Sequence, residues 1–234
     1  MDRVKTGVDG LDTMLNGGLV PERSYLVVGG PGSGKTILCV QFLMEGVNNN
    51  ERCIYVALEE QAEELKQDMN IFGWNTSRIK IIDTMQDISS GVWALKTPTS
   101  ITKPEFNLKT LVETLRKIID SYKPKRLVID SLTSVKMLYD NPLHARRELL
   151  GFLNFLENTG CTTLLTSEST SADTIMEEFL ASGVVKLHMV DNAGERVSAV
   201  SIQKMRGSSF DKNMRPMKIT DTGMQVFPNE SVFG

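Results

Sequence analysis

Gly29-Gly30-Pro31-Gly32-Ser33-Gly34-Lys35-Thr36 constrains this chain more than any other stretch. It has the spacing GxxxxGK[ST] and lies between an apolar run, Ser24–Val28, and an amphipathic run, Lys35–Val47. In such a loop several backbone N–H groups turn inward, and the N-terminus of the following helix adds the positive end of its dipole. The result is a phosphate cradle. Lys35 can reach the β- and γ-phosphates of ATP, and the Thr36 hydroxyl is placed for Mg2+. Gly30, Pro31, Gly32, Ser33, Gly34, Lys35 and Thr36 are therefore the expected nucleotide contacts. The bland alternative is a glycine-rich turn that merely ends in Lys-Thr. The strand before it and the helix after it argue against that.

The rest of the chain follows the same alternation. Cys53–Leu58, Ile79–Asp83, Arg126–Asp130 and Cys161–Ser167 read as short strands, and Gln61–Phe72, Leu108–Tyr122 and Leu143–Asn158 as helices. This is the grammar of a parallel α/β sheet covered by helices on both faces. From Thr84 to Asn107 the pattern breaks around Pro98 and Pro104, which suggests a surface insertion or lid-like loop. Beyond Gly183, Val184–Val190, Val197–Arg206, Met217–Thr220 and Met224–Phe227 read as an antiparallel extension. No linker or repeat divides the 234 residues, so one domain over residues 1–234 is expected. No apolar run reaches membrane-span length, and MDRVKTGVDG lacks the apolar stretch of a signal peptide. Three cysteines in apolar contexts, without ligand spacing, suit reduced core thiols in a cytoplasmic protein.

Two acidic segments lie at strand tips. Arg126-Leu127-Val128-Ile129-Asp130 ends in a carboxylate at the edge where parallel sheets bind ligands, suited to hold Mg2+, commonly through a water. A helix N-cap is the competing role for Asp130. Tyr55-Val56-Ala57-Leu58 delivers Glu59 and Glu60, which could orient or deprotonate a water attacking the γ-phosphate. Acids opening a helix would give the same pattern, and the position beside the P-loop strand tips the balance toward catalysis. Thr166 and Ser167 close another strand tip and could sense the γ-phosphate, or only cap backbone groups. In Ser201-Ile202-Gln203-Lys204-Met205-Arg206, alternation sends Ile202, Lys204 and Arg206 to one face and Ser201, Gln203 and Met205 to the other. Lys204 and Arg206 then await an anion, or protect a strand edge.

At this point the residues resemble a known family. Thr6-Gly7-Val8-Asp9-Gly10-Leu11-Asp12, YVALEE, Ile71-Phe72-Gly73-Trp74, LVIDSLTSV, and Lys204-Met205-Arg206-Gly207 followed by KITDTGMQVFP are similar to segments of the KaiC-like RecA-superfamily ATPases. The resemblance runs nearly end to end. It implies a RecA-like P-loop NTPase fold, Glu59 and Glu60 acting on the water, and Asp130 on Mg2+. It also implies a homohexameric ring in which Lys204 and Arg206 reach the γ-phosphate held by the neighbouring subunit. The clock protein of this family has two tandem domains and phosphorylates itself; with one domain here, neither self-kinase activity nor a circadian role is implied.

Three readings of different class remain. One is a ring ATPase acting as a switch or motor on a protein partner. Another is a RecA/RadA-like recombinase paralogue on DNA, and the third a nucleotide-binding scaffold with little turnover. A net charge of −3 disfavours a constitutive polyanion binder. Of the two segments that would face DNA, Ser167–Leu180 carries acids and no cation, while Leu132–Glu148 offers Lys136, Arg146 and Arg147.

Overall fold

Residue alternation in the strands decides the layering of this chain. The computed structural model describes residues 2–87, 92–95, 107–137, 139–168, 175–192 and 195–232. In β1 (Ser24–Gly29), Tyr25 and Val27 enter one apolar core while Leu26 and Val28 enter another on the opposite face. β2 (Cys53–Ala57) and β5 (Arg126–Asp130) divide their residues the same way, which is the signature of a sheet buried on both sides.

The first core is closed by α1 (Asp9–Met14), α2 (Lys35–Asn48) and α3 (Ala62–Ile71). The second is closed by α4 (Leu108–Tyr122), α5 (Leu132–Lys136) and α6 (Pro142–Glu157). The remaining strands are β3 (Ile79–Asp87), β4 (Val92–Leu95), β6 (Thr162–Glu168), β7 (Gly183–Asn192), β8 (Glu195–Met205), β9 (Arg215–Thr220) and β10 (Gly223–Val226). Across the sheet the order is β10-β9-β8-β7-β1-β6-β5-β2-β3-β4. The centre is parallel, and pairs β3–β4, β7–β8, β8–β9 and β9–β10 are antiparallel. The mainly parallel α/β sheet with an antiparallel C-terminal extension is thus what the residue pattern implied.

Several local expectations need correction. The pattern does not break at Thr84: β3 runs on to Asp87 and pairs with β4, because the proline-rich signal begins only later in the segment. The rest of the expected insertion, 88–91 and 96–106, lies outside the described residues. β7 is parallel to β1, so the parallel sheet extends one strand further than expected. The short helices α1, α5 and α7 (Ile175–Leu180) were not legible, since one turn and a half carries too little periodicity.

Alternation also fails in β8. Val184 pairs with Lys204 but Val185 with Ile202, leaving Gln203 as the extra residue of a β-bulge. Ile202 and Met205 therefore enter the same core, and Lys204 no longer shares a face with Ile202.

α5 and α7 are joined by an ion pair. Lys136 Nζ lies 2.7 Å from Oε1 of Glu177, whose side chain is fully buried. Lys136 is thereby engaged inside the chain rather than offered to a nucleic-acid phosphate. Lys136→Met leaves a buried carboxylate without this cation, and is expected to cost about 3–5 kcal/mol. A fall in the urea midpoint at unchanged m-value checks this.

Candidate functional site

The loop between β1 and α2 is shaped by two glycines. A Cβ on Gly29 would come within 2.3 Å of Ser33 Oγ, so the loop folds back on its own strand only if that position is bare. Gly34 has φ +95°, a left-handed conformation that suits glycine, and from it α2 begins. Lys35 Nζ donates to the carbonyls of Gly29 and Gly30, each at 3.0 Å, which keeps the ammonium over the loop. Gly30, Pro31 and Gly32 form the outward rim, and Ser33 is buried beneath it.

Asp130 sits at the tip of β5, and its carboxylate is the meeting point of three hydroxyls. Thr36 Oγ1 of α2 donates to Oδ2 at 2.9 Å, and the Tyr55 hydroxyl of β2 donates to the same oxygen at 2.6 Å. Thr166 of β6 donates to Oδ1. Tyr55 and Thr166 come from the two strands that flank β5, so the acid is held from both sides of its own strand. Thr36 and Asp130 offer hard oxygen donors side by side at the phosphate loop. That donor set fits Mg2+, which takes oxygen ligands and keeps several waters. Burial, and then the charge of Asp130, push the Tyr55 phenol well above tyrosine's usual range. It therefore remains a donor at neutral pH.

The two glutamates beyond β2 have different surroundings. Glu59 accepts hydrogen bonds from Ser131 and, at 2.5 Å, from Ser134 of α5. Glu60 lies 3.4 Å from the Tyr55 hydroxyl. Burial, and then the Asp130 charge, push its carboxyl up to about 7. One acid is tied to a helix by neutral donors, and the other is poised near neutrality.

Not every expected site residue joins this group. In β6 the even positions share the α2 face, so Thr166 meets Asp130 while Ser167 turns to the opposite face. The Ser167 hydroxyl is buried there, with no hydrogen-bond partner among the described residues. Its expected role as a phosphate sensor therefore loses its geometric basis. Lys204 and Arg206 lie further away still. Gly183 pairs with both Tyr25 and Met205, whereas Gly29 pairs with Leu187. The cation pair is thus level with the start of β1 and the phosphate loop follows its end, roughly 15 Å along the strand. Lys204 Nζ donates to the carbonyls of Glu178 at 2.9 Å and Phe179 at 2.7 Å, and Arg206 Nη2 to Phe179 at 2.9 Å. Both cations close the C-terminus of α7, where free carbonyls attract them. Burial, with Arg206 second, lowers Lys204 below lysine's usual value.

The roles of Tyr55 and Thr166 toward Asp130 were not read from the sequence. Their signal exists only once β2 and β6 are known to flank β5.

The KaiC ATPase family matches residues 4–231. A UPF0273 protein of Thermotoga maritima is 33% identical over 239 residues, covering 97% of both chains. The circadian clock oscillator protein KaiC of Synechococcus elongatus is 33% identical over 97% of this chain, which spans 44% of that protein's length. The crystal structure of a KaiC-like protein from Pyrococcus horikoshii superposes with a TM-score of 0.82 at 30% identity, covering 97% of this chain and 99% of that one. With the phosphate loop, the strand-tip acids and the sheet order all in this arrangement, the chain belongs to the KaiC-like family of RecA-superfamily P-loop ATPases.

Proposed function

We propose that residues 1–234 form one ATPase unit that binds ATP with Mg2+ and hydrolyses it slowly in a cytoplasmic ring of identical subunits. Gly30–Thr36 hold the phosphates, with Lys35 on the β- and γ-oxygens. Thr36 and Asp130 hold Mg2+, which when bound neutralises charge developing between the β- and γ-phosphates. Glu59 and Glu60 orient the attacking water and accept its proton. Lys204 and Arg206 of one copy approach the γ-phosphate held by the next.

The observation that carries this reading is the separation of the two halves. One end of the sheet has the phosphate loop and acids, and the other end has the cation pair, too distant to serve its own loop. Cations and bound triphosphate are complementary, so head-to-tail contact between copies would complete each site. Such heterologous contacts close into rings when the rotation allows. The family resemblance supports reading the assembly as a hexamer that acts as a switch or motor on a protein partner. A scaffold with little turnover would not need both glutamates and both cations. A DNA-directed role is disfavoured by Lys136, one of its candidate cations, being paired with Glu177.

Sedimentation with and without ATP and Mg2+ tests the assembly. Rings are expected with both present, accompanied by steady phosphate release. A monomer under every condition would sink the shared-site mechanism.

A further inference from the structure

We infer that Tyr55 is a positioning residue for the Asp130 carboxylate, and through it for the metal ion; this rests on the function proposed above. The geometry is specific. Tyr55 pairs with Val128 across the β2–β5 ladder, two residues below Asp130, so its ring runs up the sheet and only the hydroxyl arrives at Oδ2. A phenylalanine at this position would fill the same core space and stop short of the acid. A buried tyrosine always needs an acceptor for its O–H. Here, however, the acceptor is a carboxylate already held from the other side.

Three elements contribute to the hold. β2 and α2 fix Oδ2 through Tyr55 and Thr36, and β6 fixes Oδ1 through Thr166. With both oxygens engaged, the carboxyl plane cannot turn about its Cβ–Cγ bond without breaking hydrogen bonds on two strands. A metal approaching Thr36 then meets an acid already in its binding orientation. Partners of this kind, one step removed from the metal, typically change metal affinity about 10–100-fold when removed. Thr36 is itself an expected metal contact: its oxygen lone pairs face the ion while its O–H donates to Asp130. Tyr55 and Thr166 are not expected metal contacts, and although the Tyr55 hydroxyl also lies 3.4 Å from Glu60, its shorter bond, 2.6 Å, is to Asp130.

The test uses the full chain with a non-hydrolysable ATP analogue and Mn2+ as the spectroscopic probe. Free Mn2+ is followed by electron paramagnetic resonance, and analogue affinity is measured separately in EDTA. Tyr55→Phe is expected to weaken Mn2+ binding about 10-fold while metal-free nucleotide affinity stays within about twofold. Thr166→Val, which removes the donor to the other oxygen, should give a similar loss of Mn2+ and again leave metal-free binding in place. Melting temperatures without nucleotide separate this from a purely structural role. If both variants bind Mn2+ like wild type, whatever their melting temperatures, Tyr55 merely satisfies its own hydroxyl and the inference is overturned. Wild type with no Mn2+ site, or Asp130→Asn indistinguishable from it, would instead overturn the proposed site itself, and the inference with it.

Discussion

An Arg206→Ala chain is expected to hydrolyse ATP about 10³-fold more slowly than wild type, with nucleotide affinity changed only a few-fold. The reason for the split is that a cation beside the γ-phosphate interacts most strongly with charge that develops as the bond breaks. An interaction made chiefly in the transition state lowers kcat and leaves ground-state binding nearly intact. Lys204→Ala should act in the same direction. Arg206 also donates to the Phe179 carbonyl at the end of α7, so its removal costs some stability, roughly 1 kcal/mol. A melting curve checks this: the expected shift is small, and the variant remains folded at the assay temperature.

The decisive form of the experiment mixes two defective chains. Arg206→Ala keeps its glutamates, and a Glu59→Gln/Glu60→Gln chain keeps its cations. In mixed rings, some interfaces combine the intact half of each, and phosphate release should partly return. Verified mixed rings without any recovery would rule out sharing of the site.

The Glu59→Gln/Glu60→Gln chain is the second large effect, with a loss of about 10²–10⁴-fold in kcat. Its pH dependence adds a sharper test. Glu60 has its carboxyl pushed up to about 7, first by burial and then by the charge of Asp130. A proton acceptor must be ionised, so wild-type kcat should climb with pH through about 7 and then level. Glu60→Gln alone should lose that climb, whereas Glu59→Gln should lower the rate and keep it. The same shift acts on stability with the opposite sense. Because the folded value lies above glutamate's ordinary value of 4.5, the folded chain takes up a proton more readily between 4.5 and about 7. That contribution is complete below 4.5 and is lost as pH rises through about 7. A rate for the double variant equal to wild type would remove both glutamates from the mechanism.

Much of this site was legible because its parts are contiguous in the chain. Gly29–Thr36 announces itself through glycine spacing between a strand and a helix, and Asp130 through the four apolar residues before it. What stayed hidden depends on which strands become neighbours. Tyr55 reads as one more core residue until β2 is laid beside β5, and Thr166 is told from Ser167 only by the facing of β6. Gln203 shows the complementary failure. A strict two-residue period put Lys204 with Ile202, and one inserted residue in β8 undid that pairing while leaving Lys204 and Arg206 together on α7. No propensity in the segment signals the bulge; it becomes visible only against the register of β7.

The placement of phosphate loop and cation pair at opposite ends of the sheet has a genetic consequence. In the proposed ring, a copy with a defective cation pair keeps a sound loop but silences the loop of its neighbour. Co-expressing Arg206→Ala with wild type at graded ratios would then trace a dosage curve. If the sites fire independently, output should fall in proportion to the defective fraction. If they fire in sequence around the ring, a minority of defective copies should silence the majority, and the allele would behave as dominant.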